Sequence, residues 1–309
     1  MSDQSRELPA QRGGKTLSPE RVRLRIEHAL TKIATLTIGA VYVSSGPTLL
    51  RRRLDRQHPR PAFAARVALV AHAYYTDLIP EIISCFDTFP MGADLILTVP
   101  KERADEAMLA INGVHRARVV AVENRGRDIA PFIKLLNDGV LAPYDTVLKI
   151  HTKRSPHLRD GEVRRKLIYG MLAGSRRQTA AVLRLFESSA TGLVGWRQSW
   201  RKSPFYWMNN ASHVNAICQR FGCEVPFAPA FFEGSMFWVR PAALKRLAAL
   251  NLTAENFEPE AGQLDGALQH CIERVFALAA ASEGYVVCDL RGRILYGPDA
   301  VSFNPPRTA

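Results

Sequence analysis

Between Arg66 and Lys153 four apolar runs, RVALVAHAY, ADLILTVP, ARVVAVEN and YDTVLKIHTK, alternate with three helix-patterned segments, DLIPEIISCFDTF, ERADEAMLAIN and DIAPFIKLLNDGVL. Apolar runs that lack polar alternation read as strands covered on both faces, and helices of this length between them are the crossovers that parallel strands need. The alternation predicts an α/β domain of Rossmann-like character, with a mainly parallel central sheet flanked by helices. Beyond Lys153 the order loosens. A long helical stretch, GEVRRKLIYGMLAGSRRQTAAVLRLFES, precedes TGLVGW, the aromatic SPFYWMNN, FAPAFFEGSMFWVRPAALKRLAAL and GQLDGALQHCIERVFALAAASEGYVV. No internal repeat is present.

The flanks set the expected boundaries: a tail and helical extension over 1–60, the α/β domain over 61–298, and a C-terminal tail over 299–309. The first twenty or so residues are polar and carry no apolar periodicity. A helix is expected from SPERVRLRIEHALTKIATL, with Ser18 as N-cap, Pro19 at the first helical position and Glu20 in the first turn. Its apolar residues are Val22, Leu24, Ile26, Ala29, Leu30 and Ile33. Lys32, Gly46 and Pro47 interrupt the apolar run too soon for a membrane span. A packed amphipathic helix is the plainest reading. The flanking basic runs RVRLR and LLRRRLDRQ also suit an interfacial helix on anionic lipid. RQHPRP then reads as a linker, because Pro59 and Pro61 resist helix continuation.

At 309 residues, 47% of them hydrophobic and 23% charged, the chain can bury a substantial core without disulfide staples. Its 41 Lys and Arg against 29 Asp and Glu give a formal net charge of +12, which favours polyanions, anionic lipid or phosphorylated ligands. The five cysteines, Cys85, Cys218, Cys223, Cys271 and Cys288, form no C-x-x-C pair and are expected as buried thiols. The polar N-terminus lacks the apolar core of a secretory signal, so a cytoplasmic protein is expected.

The segment ENRGRDIAPF, Glu123 to Phe132, lies where the third strand turns into a helix. Ligands of open α/β sheets bind beyond the carboxyl ends of the strands. Gly126 suits positive φ or a close backbone approach to a ligand, Asp128 can cap the helix from Ile129, and Pro131 is tolerated in its first turn. Arg125 and Arg127 offer planar donor forks for phosphate or carboxylate, although an Arg and Asp pair can equally tie a loop together. In the next strand Lys149, His151 and Lys153 alternate onto one face, with Arg154 and His157 following. They make either a solvated basic edge or, beside Arg125 and Arg127, a cationic mouth for a phosphorylated ligand.

The motifs LVAHAYYTDLIPEI, ENRGRDIAPF, DTVLKIHTKRSPH with GEVRRKLIYGMLAGS, FFEGSMFWVRPAAL and PEAGQLDGALQHCIERVF stand in order from about Val67 to Phe276. Together they resemble the rhamnan synthesis F family, which belongs with glycosyltransferases that build rhamnose-containing polysaccharides and O-antigens. The first sixty residues carry none of these motifs. The resemblance implies a divergent GT-A type fold, a single Rossmann-like domain that uses a nucleotide-diphosphate sugar.

Such enzymes commonly carry a D-x-D motif after the fourth strand, whose carboxylates hold a divalent metal on the donor diphosphate. This chain has HTK there, His151 to Lys153, which cannot chelate a hard cation through oxygen. No metal is therefore expected, and Arg125, Arg127, Lys149, His151 and Lys153 are the candidates to stabilise the leaving nucleoside diphosphate. An inverting transferase needs a carboxylate to deprotonate the acceptor. The resemblance implies Asp265 at the start of a helix, with Glu260 close before it and Glu233 competing. Asp265 would also serve as that helix's N-cap. His72 and Tyr74, with Tyr75, fall where a GT-A enzyme contacts the donor nucleotide. Trp238, with Phe232 and Phe237, would give a platform for the acceptor sugar, or simply core. His270 and Glu273 share a helix face at i and i+3 but are not read as catalytic.

The function expected is transfer of L-rhamnose from dTDP-rhamnose to a lipid-linked saccharide, by a cytoplasmic protein for which a peripheral place on the inner membrane face is open. The competing expectation is a non-catalytic binding module for phosphorylated glycans or nucleic acid, although no nucleic-acid signature is present. A hydrolase or phosphotransferase is disfavoured, since neither G-x-S-x-G nor G-x-x-x-x-G-K-[ST] occurs.

Overall fold

A computed structural model of the chain describes residues 65–154, 161–260, 262–263 and 265–303, together with the helical positions Val22, Ile26, Ala29, Leu30, Ile33 and Thr37. The four expected strands form β1 (Val67–His72), β2 (Asp94–Pro100), β3 (Ala117–Val122) and β4 (Thr146–His151). They are linked by α1 (Ile79–Phe86), α2 (Ala104–Ala110) and α3 (Ile129–Asn137). Every residue of β1 and β4 is buried, as strands sandwiched between two helical layers must be.

Later strands widen this nucleus into an eight-stranded sheet of order β10-β9-β5-β8-β4-β1-β2-β3, with β5 (Thr191–Gly195), β8 (Phe237–Val239), β9 (Val286–Asp289) and β10 (Ile294–Tyr296). β1 runs parallel to β2 and β4, and β2 parallel to β3. β8 lies antiparallel between β4 and β5, and β10 closes the edge antiparallel to β9. The α/β expectation holds, and the sheet is mainly rather than wholly parallel. A separate two-stranded ribbon pairs β6 (Trp200–Lys202) with β7 (Ala230–Phe232).

The long helical stretch divides into α4 (Gly161–Ala173) and α5 (Arg176–Leu185). Ser175 is extended between them, and its hydroxyl caps α5 by accepting the Gln178 amide at 3.1 Å. α6 (Ala211–Phe221), α7 (Lys245–Ala248) and α8 (Leu268–Ser282) complete the helices that matter here. Alternating strand residues feed two cores. Leu69, Leu95, Leu148 and Ile150 pack with α1, α4 and α5 on one face, while Val70, Ile96 and Val147 pack with α3, α6 and α8 on the other. The second half of α8, 275–281, is apolar all round and so runs through the interior. Glu273 is the one residue of this helix that is not buried.

All five cysteines are free thiols in the core, as expected. Ser302 and Phe303, within the stretch expected as a tail, still engage the body: Glu224 donates to the Ser302 carbonyl at 2.8 Å and Phe303 bridges Cys223. Of the expected N-terminal helix, Val22, Ile26, Leu30 and Ile33 are described, and all four are exposed rather than packed. Among the described residues no helix is long and apolar enough to cross a membrane.

Candidate active site

From β1 the chain steps outward to β2 and β3, then returns to place β4 on the other side of β1. The winding reverses between β1 and β4, and a crevice opens at the carboxyl ends of strands where this happens. His72 and His151 end these two strands as direct register partners. The Thr152 amide donates to the His72 carbonyl at 2.9 Å and the Tyr75 amide to the Thr152 hydroxyl at 3.0 Å, so the loop after β1 is tied to the end of β4. Tyr74 and Tyr75 pack edge to face at 5.0 Å. Arg103 covers the first ring at 5.2 Å and Arg154 the second at 4.8 Å, while Arg154 also pairs with Asp77.

The ENRGRD turn puts two successive residues in the left-handed region, Gly126 at φ 63° and Arg127 at φ 55°. A side chain at Gly126 would stand 2.6 Å from Ala130 Cβ and 2.7 Å from the Phe257 ring. The glycine is thus required by packing of this turn against Phe257, and that packing fills the space foreseen for a ligand. Arg127 has no such excuse for positive φ, a conformation that costs on the order of 1 kcal/mol. What it gains is direction. Its guanidinium reaches the far side of the crevice, donating to the Gln263 carbonyl and standing 3.2 Å from His270 Nε2 and 3.5 Å from Glu260. Arg125 turns away to the Phe257 carbonyl at 3.4 Å.

Asp128 occupies the N-cap position of α3 but caps nothing with its side chain. Its carboxylate points inward, 2.5 Å from Lys149 Nζ and 3.5 Å from His151 Nδ1. Lys149 is 1% exposed and also donates to the Ser235 carbonyl at 2.9 Å. Phe132, Phe237 and Phe276 surround its amine at 5.5–5.9 Å. His151 Nε2 donates to the Gly234 carbonyl at 2.9 Å, which assigns the neutral ring its tautomer. Burial, with Lys149 and Lys153 adding to it against Asp128, brings the His151 pKa down to about 4. Burial likewise brings His72 down to about 4. Burial would raise Asp128, yet His151 and Lys149 overcome it and hold the carboxyl well below its usual range.

Lys153 alone of the KIHTK cations emerges at the rim, and among the described residues its amine has no ion-pair partner. It lies 3.9 Å from where a β-carbon on Gly234 would stand. The Gly234 amide donates to Glu273 at 2.7 Å. Arg127, at His270, and Lys153, beside Gly234 and Glu273, therefore flank one face of α8.

A family model described as rhamnan synthesis protein F matches residues 30–285. The chain belongs to the rhamnan synthesis protein F family. That match starts well before the first motif at Val67, so part of the N-terminal segment that carries no motif lies inside the family region. Two curated relatives, both described as uncharacterized protein WxcX and coming from Xanthomonas campestris pv. campestris strains B100 and ATCC 33913, are each 33% identical over 222 residues. The aligned region covers 71% of this chain but 32% of each relative, so the chain spans about a third of their length. The family description connects its members with polysaccharide synthesis.

Within this family member the structure rearranges the site expected from sequence. Lys149 and His151 form the floor beneath the crevice, not its mouth, because α3 and the FFEGS loop close over them. Trp238 is 0% exposed, stacks on Phe89 at 5.1 Å and donates to the Leu172 carbonyl at 3.0 Å. It is core, as are Phe232 and Phe237, and it offers no platform to a saccharide. Asp265 is not the N-cap of α8, which begins at Leu268 with Ala267 before it. Glu258 instead accepts the Leu268 amide at 3.2 Å. Asp265 is spent on Arg274 at 3.0 Å and on the Asn209 amide and Asn210 side chain at 2.9 Å each. Burial would raise its pKa, but these donors lower it on balance. Glu233 is paired with Arg201 at 2.5 Å. Glu273, present in the QHCIER motif, stands in the crevice instead; its i, i+3 spacing with His270 was the signal for it.

Proposed function

We propose that this crevice binds the diphosphate of a nucleotide sugar and that the chain is a GT-A type glycosyltransferase, transferring L-rhamnose from dTDP-rhamnose to a lipid-linked saccharide with inversion. The observation that carries the reading is the pair of cations, Arg127 and Lys153, brought to one face of α8 at the switch point between β1 and β4. Two cations there would neutralise charge as it develops on the leaving nucleoside diphosphate. Tyr74, half covered by Arg103, lies at the end of β1, where a nucleobase could stack. The sugar and its carrier rest on family membership alone.

At the end of β4 His151 and Thr152 are buried and Lys153 reaches the rim, while Asp128 is engaged by Lys149. These groups suit an anion and not a hard cation, so the transfer proposed is metal-independent. Thermal shift against a panel of nucleotide sugars should find stabilisation by dTDP species, and Arg127→Ala should lower the underlying affinity tenfold or more, on the order expected for one charge-assisted phosphate contact. Sugar transfer should be the same in EDTA as in Mn²⁺. Loss in EDTA with recovery on metal would remove the cationic mechanism, and ligand binding without any transfer would favour a binding module.

A lipid-linked acceptor would place the chain at a membrane surface. Val22, Ile26, Leu30 and Ile33 fall within an arc of about 80° at helical spacing, all exposed, and the sequence interleaves Arg21, Arg23 and Arg25 among them. That stripe would rest on anionic lipid. Co-sedimentation with phosphatidylglycerol vesicles, lost in Ile26→Asp and absent with phosphatidylcholine, is expected; equal recovery with both lipids would discard it.

A further inference from the structure

Five carboxylates border the crevice, and their partners separate them: Glu260 is paired with Arg127 at 3.5 Å. Asp128 is held by Lys149 beneath the floor. The Asp265 side chain is 7% exposed with three donors on it, and Glu233 is 41% exposed and bound to Arg201. Glu273 is intermediate at 19%. One of its oxygens accepts the Gly234 amide at 2.7 Å, while the other lies 3.8 Å from Arg274, beyond hydrogen-bond length. It thus combines a fixed orientation with an oxygen still free to accept a proton.

We propose that Glu273 is the catalytic base of the glycosyl transfer, an assignment that rests on the transferase reading above. The acceptor hydroxyl would give its proton to the carboxylate as its oxygen bonds the anomeric carbon of the donor. The bond from that carbon to the diphosphate oxygen breaks, and the electron pair leaves with the nucleoside diphosphate, opposite Arg127 and Lys153. The Gly234 amide fixes the carboxylate plane, and Arg274 on the same helix holds the neighbouring Asp265 away from it.

The surroundings tune it for this task. Burial raises the Glu273 pKa; Lys153 from the end of β4, Arg274 on α8 and the Gly234 amide oppose that rise, and Asp128 from the start of α3 adds to it. A base must be ionised to act, so kcat should climb with pH through a limb placed above the ordinary glutamate range.

Glu273→Gln keeps the shape and can still accept from Gly234. It should lower kcat by about 10²–10⁴-fold, erase the acidic limb, and leave stabilisation by dTDP unchanged. Glu273→Asp, one methylene shorter, should retain part of the rate together with the limb, and so serves if the glutamine variant folds poorly. Wild-type kcat with its acidic limb in Glu273→Gln, particularly beside an inactive Asp265→Asn, would overturn the assignment while leaving the transferase reading standing. A wild-type protein that transfers no sugar from any nucleotide sugar would overturn both.

Discussion

Replacing Lys149 by methionine is expected to destabilise the protein by about 3–5 kcal/mol, the usual cost of removing one partner from a buried ion pair. The ammonium is 1% exposed, and its contacts to Asp128 at 2.5 Å and the Ser235 carbonyl at 2.9 Å are what make burial of the charge tolerable. Methionine would fit among Phe132, Phe237 and Phe276, so packing is largely kept and the loss is electrostatic. Asp128 would be left in the core with only the two imidazoles, His151 and His72, to offset its charge, and the Ser235 carbonyl would lose its donor. Adding Asp128→Asn removes the stranded charge and should recover a large part of the loss. Urea unfolding of both single variants and the double variant measures the coupling directly. A Lys149→Met midpoint equal to wild type would show that the pair contributes nothing to folding. The expectation separates the cations of the KIHTK stretch: Lys149 holds α3 and the FFEGS loop to β4, and Lys153, beyond the end of the strand, stays at the rim.

That separation marks where the sequence stops being readable. Continuous apolar runs announced β1 to β4 and their parallel order, because burial on both faces leaves no alternation. Strand periodicity also put Lys149 and His151 on one face, opposite Ile150. It carried no information about how far the covering layer extends, and beside Asp128 from α3 the cover comes from residues 80 or more positions away: Gly234 and Ser235 accept from the two side chains. The core position of Trp238 and the failure of the N-cap reading of Asp265 have the same cause. Trp238 belongs to a short strand inserted antiparallel between β4 and β5, a pairing that no local pattern specifies. Asp265 resembles an N-cap locally, but Glu258 satisfies the first turn of α8 from outside the motif and frees Asp265 to bind Arg274. The legible parts of the site are those set by chain-local geometry, such as the ENRGRD turn and the i, i+3 pair His270 and Glu273. The partners that decide which of these groups is free are long-range.

The same buried cluster should make the protein acid-sensitive well above the range where carboxylates titrate. His72 and His151 have folded pKa values of about 4 against 6.5 for the free side chain, so between these limits the unfolded chain binds more protons than the native one. Their contribution to stability is therefore complete above pH 6.5 and is lost as pH falls toward 4. At about 1.4 kcal/mol per unit each imidazole contributes roughly 2–3 kcal/mol to that loss by pH 4.5. The two sit side by side at the ends of β1 and β4 and share Asp128 and Lys149, so they titrate as a coupled pair and the sum falls short of twice one value. Asp128 acts later: its depressed pKa adds stability that persists down to the ordinary carboxylate range and disappears below it. Urea midpoints recorded from pH 7 to 4.5 should fall steadily, and the Lys149→Met variant, which removes a cation that opposes imidazole protonation, should show a shallower fall. A flat profile over this interval would mean that both rings take up protons in the native state as readily as in the unfolded chain, and the floor of the crevice would then become positively charged in mild acid.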